Sequence, residues 1–217
     1  MKLVDLHLHS LLSDGELLPS ELARRMEELG FGTIALTDHV DWSNLEIIPK
    51  IAEVSERLSK CMGISVIAGA ELTHIPPREI GGLAKKAREL GAKIVVAHGE
   101  SPVEPVRKGT NLAAIECGEV DILAHPGLIA REEAKKAREA GVYLELTSRK
   151  GHCLFNGWVA AVAREVGAKL ILNSDAHSPD DLLPPDRVLS VARGAGLEGE
   201  EIREVLLRNP RELLKQL

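Results

Sequence analysis

A chain of 217 residues can bury one sizeable core, and single α/β barrels reach this length without a linker. Its formal net charge of −6 argues against holding a polyanion by charge alone, and aromatic residues at 2% leave almost no material for a base-stacking surface. No run of about 18 apolar residues and no leader-like opening stretch occurs, so neither a membrane span nor a secretion signal is expected.

Short apolar runs alternate with amphipathic stretches along the chain. The first strand is predicted at Leu3–Leu8, followed by a helix at Pro19–Leu29; the next pairs are Thr33–Thr37 with Leu45–Met62, and Ser65–Ala70 with Gly82–Leu90. Lys93–Ala97 precedes Asn111–Cys117, Asp121–Ala124 precedes Glu132–Ala140, and Val142–Leu146 precedes Trp158–Val166; after a seventh strand, Lys169–Asn173, two or three more helices fit. Gly30, Gly63, Gly91, Gly141 and Gly167 stand where helices should end. Cys61, Cys117 and Cys153 are odd in number and form no CxxC pair, which fits reduced thiols and a cytoplasmic location.

Seven βα units imply a parallel sheet covered by helices, a pattern shared by an open doubly wound sheet and a closed barrel. The polar residues separate the two. Six of the seven strands deliver an acidic residue or a histidine at the carboxyl end: Asp5, His7 and His9; Asp38 and His39; Glu71; His98; His125; Asp175 and His177. Only a closed barrel brings so many strand ends to one mouth. The expected fold is therefore an α/β barrel of seven strands.

Alternation along a strand places Asp5, His7 and His9 toward the axis, with Val4, Leu6 and Leu8 toward the helices. The last strand likewise turns Asn173, Asp175 and His177 inward and Leu170 and Leu172 outward. Imidazole and carboxylate donors without thiolates suit Zn, Mn or Fe as divalent ions. Counting His7, His9, Asp14, His39, Glu71, His98, His125, Asp175 and His177 gives nine candidate ligands, too many for one ion. Two or three ions account for them, with Glu71 able to bridge a pair roughly 3.5–4 Å apart. His74 and His152 fall in loops on the same rim and stay outside this set.

His7-Leu-His9-Ser10, Ser13-Asp14-Gly15, Thr37-Asp38-His39, Glu71, His98, His125-Pro126 and Asp175-Ala-His177 occur in that order. In this the chain resembles the PHP (polymerase and histidinol phosphatase) family of metal-dependent phosphoesterases. The resemblance implies a distorted (β/α)7 TIM-like barrel, a single hydrolase domain over residues 1–217, and a trinuclear site. It implies one ion on His7, His9, Glu71 and Asp175, which are the expected catalytic residues. A second would lie on Glu71, His98 and His125, and a third on Asp14, His39 and His177. Some relatives carry His in place of Asp14, and an oxygen ligand there favours harder ions such as Mn²⁺. Asp5 and Asp38 are expected to orient ligand imidazoles or to bond structurally.

The mechanism expected on this basis is attack on phosphorus by a hydroxide bridging the first two ions, which also neutralise the phosphoryl oxygens. Arg149, in a basic loop after the sixth strand, is the first candidate for a phosphate contact and Arg131 the second. The partner is a small phosphorylated substrate, histidinol phosphate or a nucleotide, with nucleic acid entering only as a substrate end. Two other readings stand beside this one. An amidohydrolase-type barrel also opens with HxH but leaves Thr37-Asp38-His39 unexplained, and an RNA-binding scaffold like the barrel protein of RNase P would not need all nine ligands.

Overall fold

A computed structural model describes residues 2–217. Its strands are β1 (Val4–Leu8), β2 (Thr33–Leu36), β3 (His39–Val40), β4 (Ser65–Leu72), β5 (Ile94–His98), β6 (Ile122–Ala124), β7 (Tyr143–Thr147) and β8 (Leu170–Asn173). All pairings are parallel and follow chain order, with β2 and β3 two pieces of one stave beside β4. The result is the nearly closed seven-stave barrel that the polar strand ends require. β4 and β5 run past their predicted ends, so Glu71 and His98 belong to the strands themselves.

The seam between β1 and β8 is closed by side chains and backbone together. Leu6 N donates to Asn173 Oδ1 at 2.8 Å, Ser174 N lies 3.1 Å from Asp5 Oδ2, and the backbone adds Asp175 N to His7 O at 2.9 Å and His9 N to Ala176 O at 3.0 Å. Around the sheet lie α1 (Pro19–Glu28), α2 (Ile47–Cys61), α3 (Ile80–Glu89), α4 (Thr110–Glu116), α5 (Arg131–Ala140) and α6 (Asn156–Val166). They form because each carries one apolar stripe; α2 buries Ile47, Ile48 and Ile51, and α5 buries only Ala134 and Ala137 beneath a charged face. Gly63 departs from its expected role: Met62 ends α2 in extended conformation, and Gly63, unlike the other four, does not take a positive φ. After β8 follow α7 (Pro185–Gly194), α8 (Gly199–Arg203), a π-helical turn at Glu204–Arg208 and α9 (Asn209–Leu214). Among the described residues no helix is long and apolar enough to cross a membrane.

Two apolar layers result. Leu8, Ile34, Leu36, Leu144 and Leu172 pack outward against helices, while Val4, Leu6, Val96, Ile122, Tyr143 and Ile171 fill the barrel, plugged from α9 by Leu213. Val4 and Leu6 therefore face inward and Asp5 outward, the reverse of the expected alternation. The pairing register of β1 shifts between Asp5 and Leu8, and His7 N bonds the Asp5 carboxylate at 3.2 Å instead of a neighbouring strand. One inserted residue flips the parity, which is how apolar Leu6 and polar His7 can both serve the interior.

Candidate metal centre

Glu71 stands at the centre of the barrel mouth, fully buried. Its Oε2 lies 3.3 Å from His7 Nε2, 3.4 Å from His9 Nε2 and 2.7 Å from His39 Nδ1, and Oε1 is 3.7 Å from His125 Nε2. Asp175 faces the same nitrogens, with Oδ1 3.2 Å from His9 Nε2 and Oδ2 3.6 Å from His125 Nε2. Asp175 and His125 reach these places with left-handed backbones, φ 54° and 29°. Such conformations are uncommon outside glycine and collect at functional sites.

Above this group, nearer solvent, Asp14 Oδ1 lies 3.4 Å from His177 Nε2 and 3.5 Å from His39 Nε2. Asp14 rides on a turn that Asp38 clasps: the Asp38 carboxylate accepts from Ser10 N at 2.8 Å, Ser13 N at 3.0 Å and Ser13 Oγ at 2.8 Å. A Cβ at Gly15 would fall 2.4 Å from His9 O, so the turn closes only with glycine there. Asp5 and Asp38 thus hold backbone, not imidazoles.

The carboxylate that does orient an imidazole is Glu145, absent from the expected set. Fully buried on β7, it lies 2.8 Å from His7 Nδ1, accepts from Asn173 Nδ2 at 2.8 Å and receives His125 N at 3.2 Å. As an acceptor it holds a proton on His7 Nδ1, so Nε2 is the nitrogen turned toward the centre. A signal was present: a lone acidic residue alternating with Tyr143, Leu144, Leu146 and Thr147 in a buried strand has to meet a partner.

Burial alone would lower the pKa of His39, but the adjacent Glu71 carboxylate and then Asp14 outweigh it and raise it to about 9. Burial and the Glu71 charge push Asp175 up to about 6 against the pull of His7. Glu71 itself is held well below the carboxylate range, because His7 and His39 outweigh its burial. Burial, reinforced by His39, keeps His9 neutral. Imidazole nitrogens, neutral at His9 and charged at His39 in the metal-free protein, face anionic oxygens within 4 Å, a donor set that by chemistry can exchange protons for a cation. His7 Nε2, both His9 nitrogens, both Glu71 oxygens and His125 Nδ1 are buried without an aligned hydrogen-bond partner, despite their short separations. Among the described residues four sets could each hold an ion: His7, His9 and Asp175; His9, Asp14, His39 and His177; His98, His125 and His152; and His74, His98 and Glu104.

The third set brings in His152, expected on the rim. His152 is buried, its ring centroid 4.2 Å from that of His125. His74, half exposed with φ 55°, stacks at 5.1 Å on His98. Both touch Glu104, a second acidic residue absent from the expected set; hydrogen bonds from His152 and His98 hold its carboxyl far below the usual range. Arg149 borders the site cavity of about 570 Å³, with Nη1 2.9 Å from Asp181 Oδ2. Arg131 is a correction: at the start of α5 it binds Glu165 on α6 at 2.7 Å and lies over Trp158, away from the mouth. The helical phase that exposes this residue aims it along the outer ring.

The PHP domain pattern matches residues 5–152. The chain is 49% identical to an uncharacterized protein of Methanocaldococcus jannaschii, spanning 98% of this chain and 99% of the relative. It is 30% identical to ribonuclease P protein component 3 of Methanosarcina mazei, over 94% of this chain and 85% of that one. It is also 30% identical to a probable phosphatase of Shewanella sp. strain ANA-3, over 99% and 90%. Among solved structures, a candidate histidinol phosphatase of Listeria monocytogenes superimposes with a TM-score of 0.56 at 11% identity, over 85% of this chain and 98% of that one. A. niger ochratoxinase reaches 0.59 at 12% identity, over 98% and 71%; both share the barrel.

Proposed function

This chain belongs to the PHP domain family, and from that premise we propose that residues 1–217 act as one metal-dependent phosphoesterase domain, hydrolysing a small phosphate ester such as histidinol phosphate or a nucleotide. The observation that carries this reading is the group of six buried, unpartnered nitrogen and oxygen atoms on His7, His9, Glu71 and His125. Each costs about 1–3 kcal/mol when left unpaired, and divalent ions offset that cost. His7, His9, Glu71 and Asp175 hold one ion, Glu71, His98 and His125 a second, and Asp14, His39 and His177 a third. The donor set suits Zn²⁺, Mn²⁺ or Fe²⁺.

Bound ions supply Lewis-acid neutralisation of phosphoryl oxygens and a water acidified enough to attack near neutral pH. The chain's own residues fix the geometry. Glu145 sets the tautomer of His7, and the carbonyls of Gly99 and Asp175 do the same for His98 at 3.2 Å and His177 at 2.9 Å. Arg149, oriented by Asp181, keeps further N–H donors of its planar fork for phosphate. The cavity at the mouth, lined among others by Asp14, His39, His98, His125, Asp175 and His177, gives an ester substrate access to these positions.

Metal analysis of the purified protein, followed by turnover of phosphate esters, amides and lactones with Mn²⁺ or Zn²⁺ added, tests the reading. Two or more equivalents of transition metal and metal-dependent release of phosphate are expected. Hydrolysis of amides or lactones alone replaces it with an amidohydrolase. No metal, no turnover and tight RNA binding replaces it with the scaffold role that the ribonuclease P relatives raise, against which the net charge of −6 weighs.

A further inference from the structure

The segment from Gly99 to Gly109, between β5 and α4, enters the site on a fixed path. A Cβ on Gly99 would stand 2.2 Å from Ala124 O, so the segment starts pressed against β6. Glu100 Oε1 then accepts from Gly109 N at 2.9 Å and Asn111 N at 3.0 Å, while Asn111 Oδ1 receives Glu100 N at 2.9 Å and Asn111 Nδ2 reaches Pro126 O at 3.0 Å. From this clasped segment two side chains reach His152. Ser101 Oγ lies 2.7 Å from Nδ1, and Glu104 Oε1 lies 3.3 Å from Nε2. The other Glu104 oxygen is 3.0 Å from His98 Nε2 and 3.3 Å from His74 Nε2.

A carboxylate only accepts, so imidazole nitrogens that converge on it must each carry a proton or share a cation with it. Gly99 O takes the proton of His98 Nδ1, which leaves His98 a single free nitrogen and therefore a single ion to serve. Two overlapping sets compete for it: His74, His98 and Glu104, or His98, His125 and His152. The second is buried throughout, and Glu104 contacts both His98 and His152 within it.

Resting on the proposed metal centre, we propose that His152 and Glu104 are ligands of the second ion, joining Glu71, His98 and His125. This position then draws five side chains from four strand ends and the 99–109 segment. Glu104, on the solvent side, is the outermost of them. His74 lies outside the coordination sphere.

Titration with Co²⁺ alone, followed by visible absorption and dialysis stoichiometry, tests this in the wild-type protein and in Glu104→Gln, His152→Ala, His74→Ala and His9→Ala. Glu104 is part exposed, so its substitution leaves the fold intact, which a thermal melt checks. Glu104→Gln and His152→Ala are expected to weaken one cobalt equivalent roughly tenfold or more and to intensify its visible bands as its coordination number falls. His74→Ala should do neither. Unchanged affinity and spectrum in both Glu104→Gln and His152→Ala, with metal lost in His9→Ala, overturns the proposal and leaves the metal centre standing. A wild-type protein that takes up no cobalt overturns both.

Discussion

The floor and the rim of the barrel mouth hold similar residues under different constraints. At the floor His7, His9, Glu71 and Asp175 are buried, on or just beyond β1, β4 and β8, with His7 locked by Glu145. At the rim Asp14 on a turn, His39 on the short β3 and His177 beyond β8 meet, and the Asp14 side chain is 57% exposed. Water can re-solvate the rim residues when an ion leaves but cannot reach the floor, where an unpaired charge keeps its desolvation cost. Under the proposed assignment the floor retains its ion and the rim exchanges.

The strongest way to break this contrast is at the floor. His9→Ala or Asp175→Asn should lower phosphatase activity about a thousandfold or more and reduce bound metal with an unchanged circular dichroism spectrum; full activity in either refutes the assignment. Next in size is Glu145→Gln, which touches no ion yet releases His7. A fall in metal affinity of roughly 10–100-fold, read by chelator competition, is expected.

Asp14→Asn should weaken one equivalent only, by about tenfold, leaving the others in place by dialysis. The rim ion should also follow pH. His39 keeps its proton up to about 9 in the metal-free protein and must release it to bind, so affinity rises with pH and falls by up to about tenfold per unit below that point. Because Asp14 is one of the charges that raise His39, Asp14→Asn should also flatten this slope. A pH-independent third equivalent contradicts the assignment of His39. The smallest effect is expected at Arg149→Lys, a rise in KM of about threefold from loss of the planar fork with little change in kcat. Arg131→Ala, on the outer ring, should change neither.

The strand and helix order was legible because burial on both faces and 3.6-residue stripes write it locally. Inward alternation is kept in β5, where Ile94 and Val96 fill the barrel and His98 reaches the mouth, and in β8 with Ile171 and Asn173. It failed in β1, because a bulge arises from pairing with a distant strand and the carboxylate of Asp5, which no local period encodes. Glu145 was overlooked because it sits one turn of the pleat below the strand end, out of line with the motif residues. Glu104 and His152 were unreadable for a different reason. Their place depends on how the 99–109 segment is clasped by Asn111 and buttressed at Ala124, a property of packing rather than spacing.

Residue types and their order at successive strand ends were enough to require a closed parallel barrel with an oxygen and nitrogen ligand set, since only closure unites ends so far apart in the chain. The tertiary structure decided which carboxylates hold backbone and which hold imidazoles, and that Arg131 lies outside while Glu145, Glu104 and His152 lie within. Those choices turn on a one-residue register shift and on the path of one segment, both set by contacts between strands and loops distant in sequence.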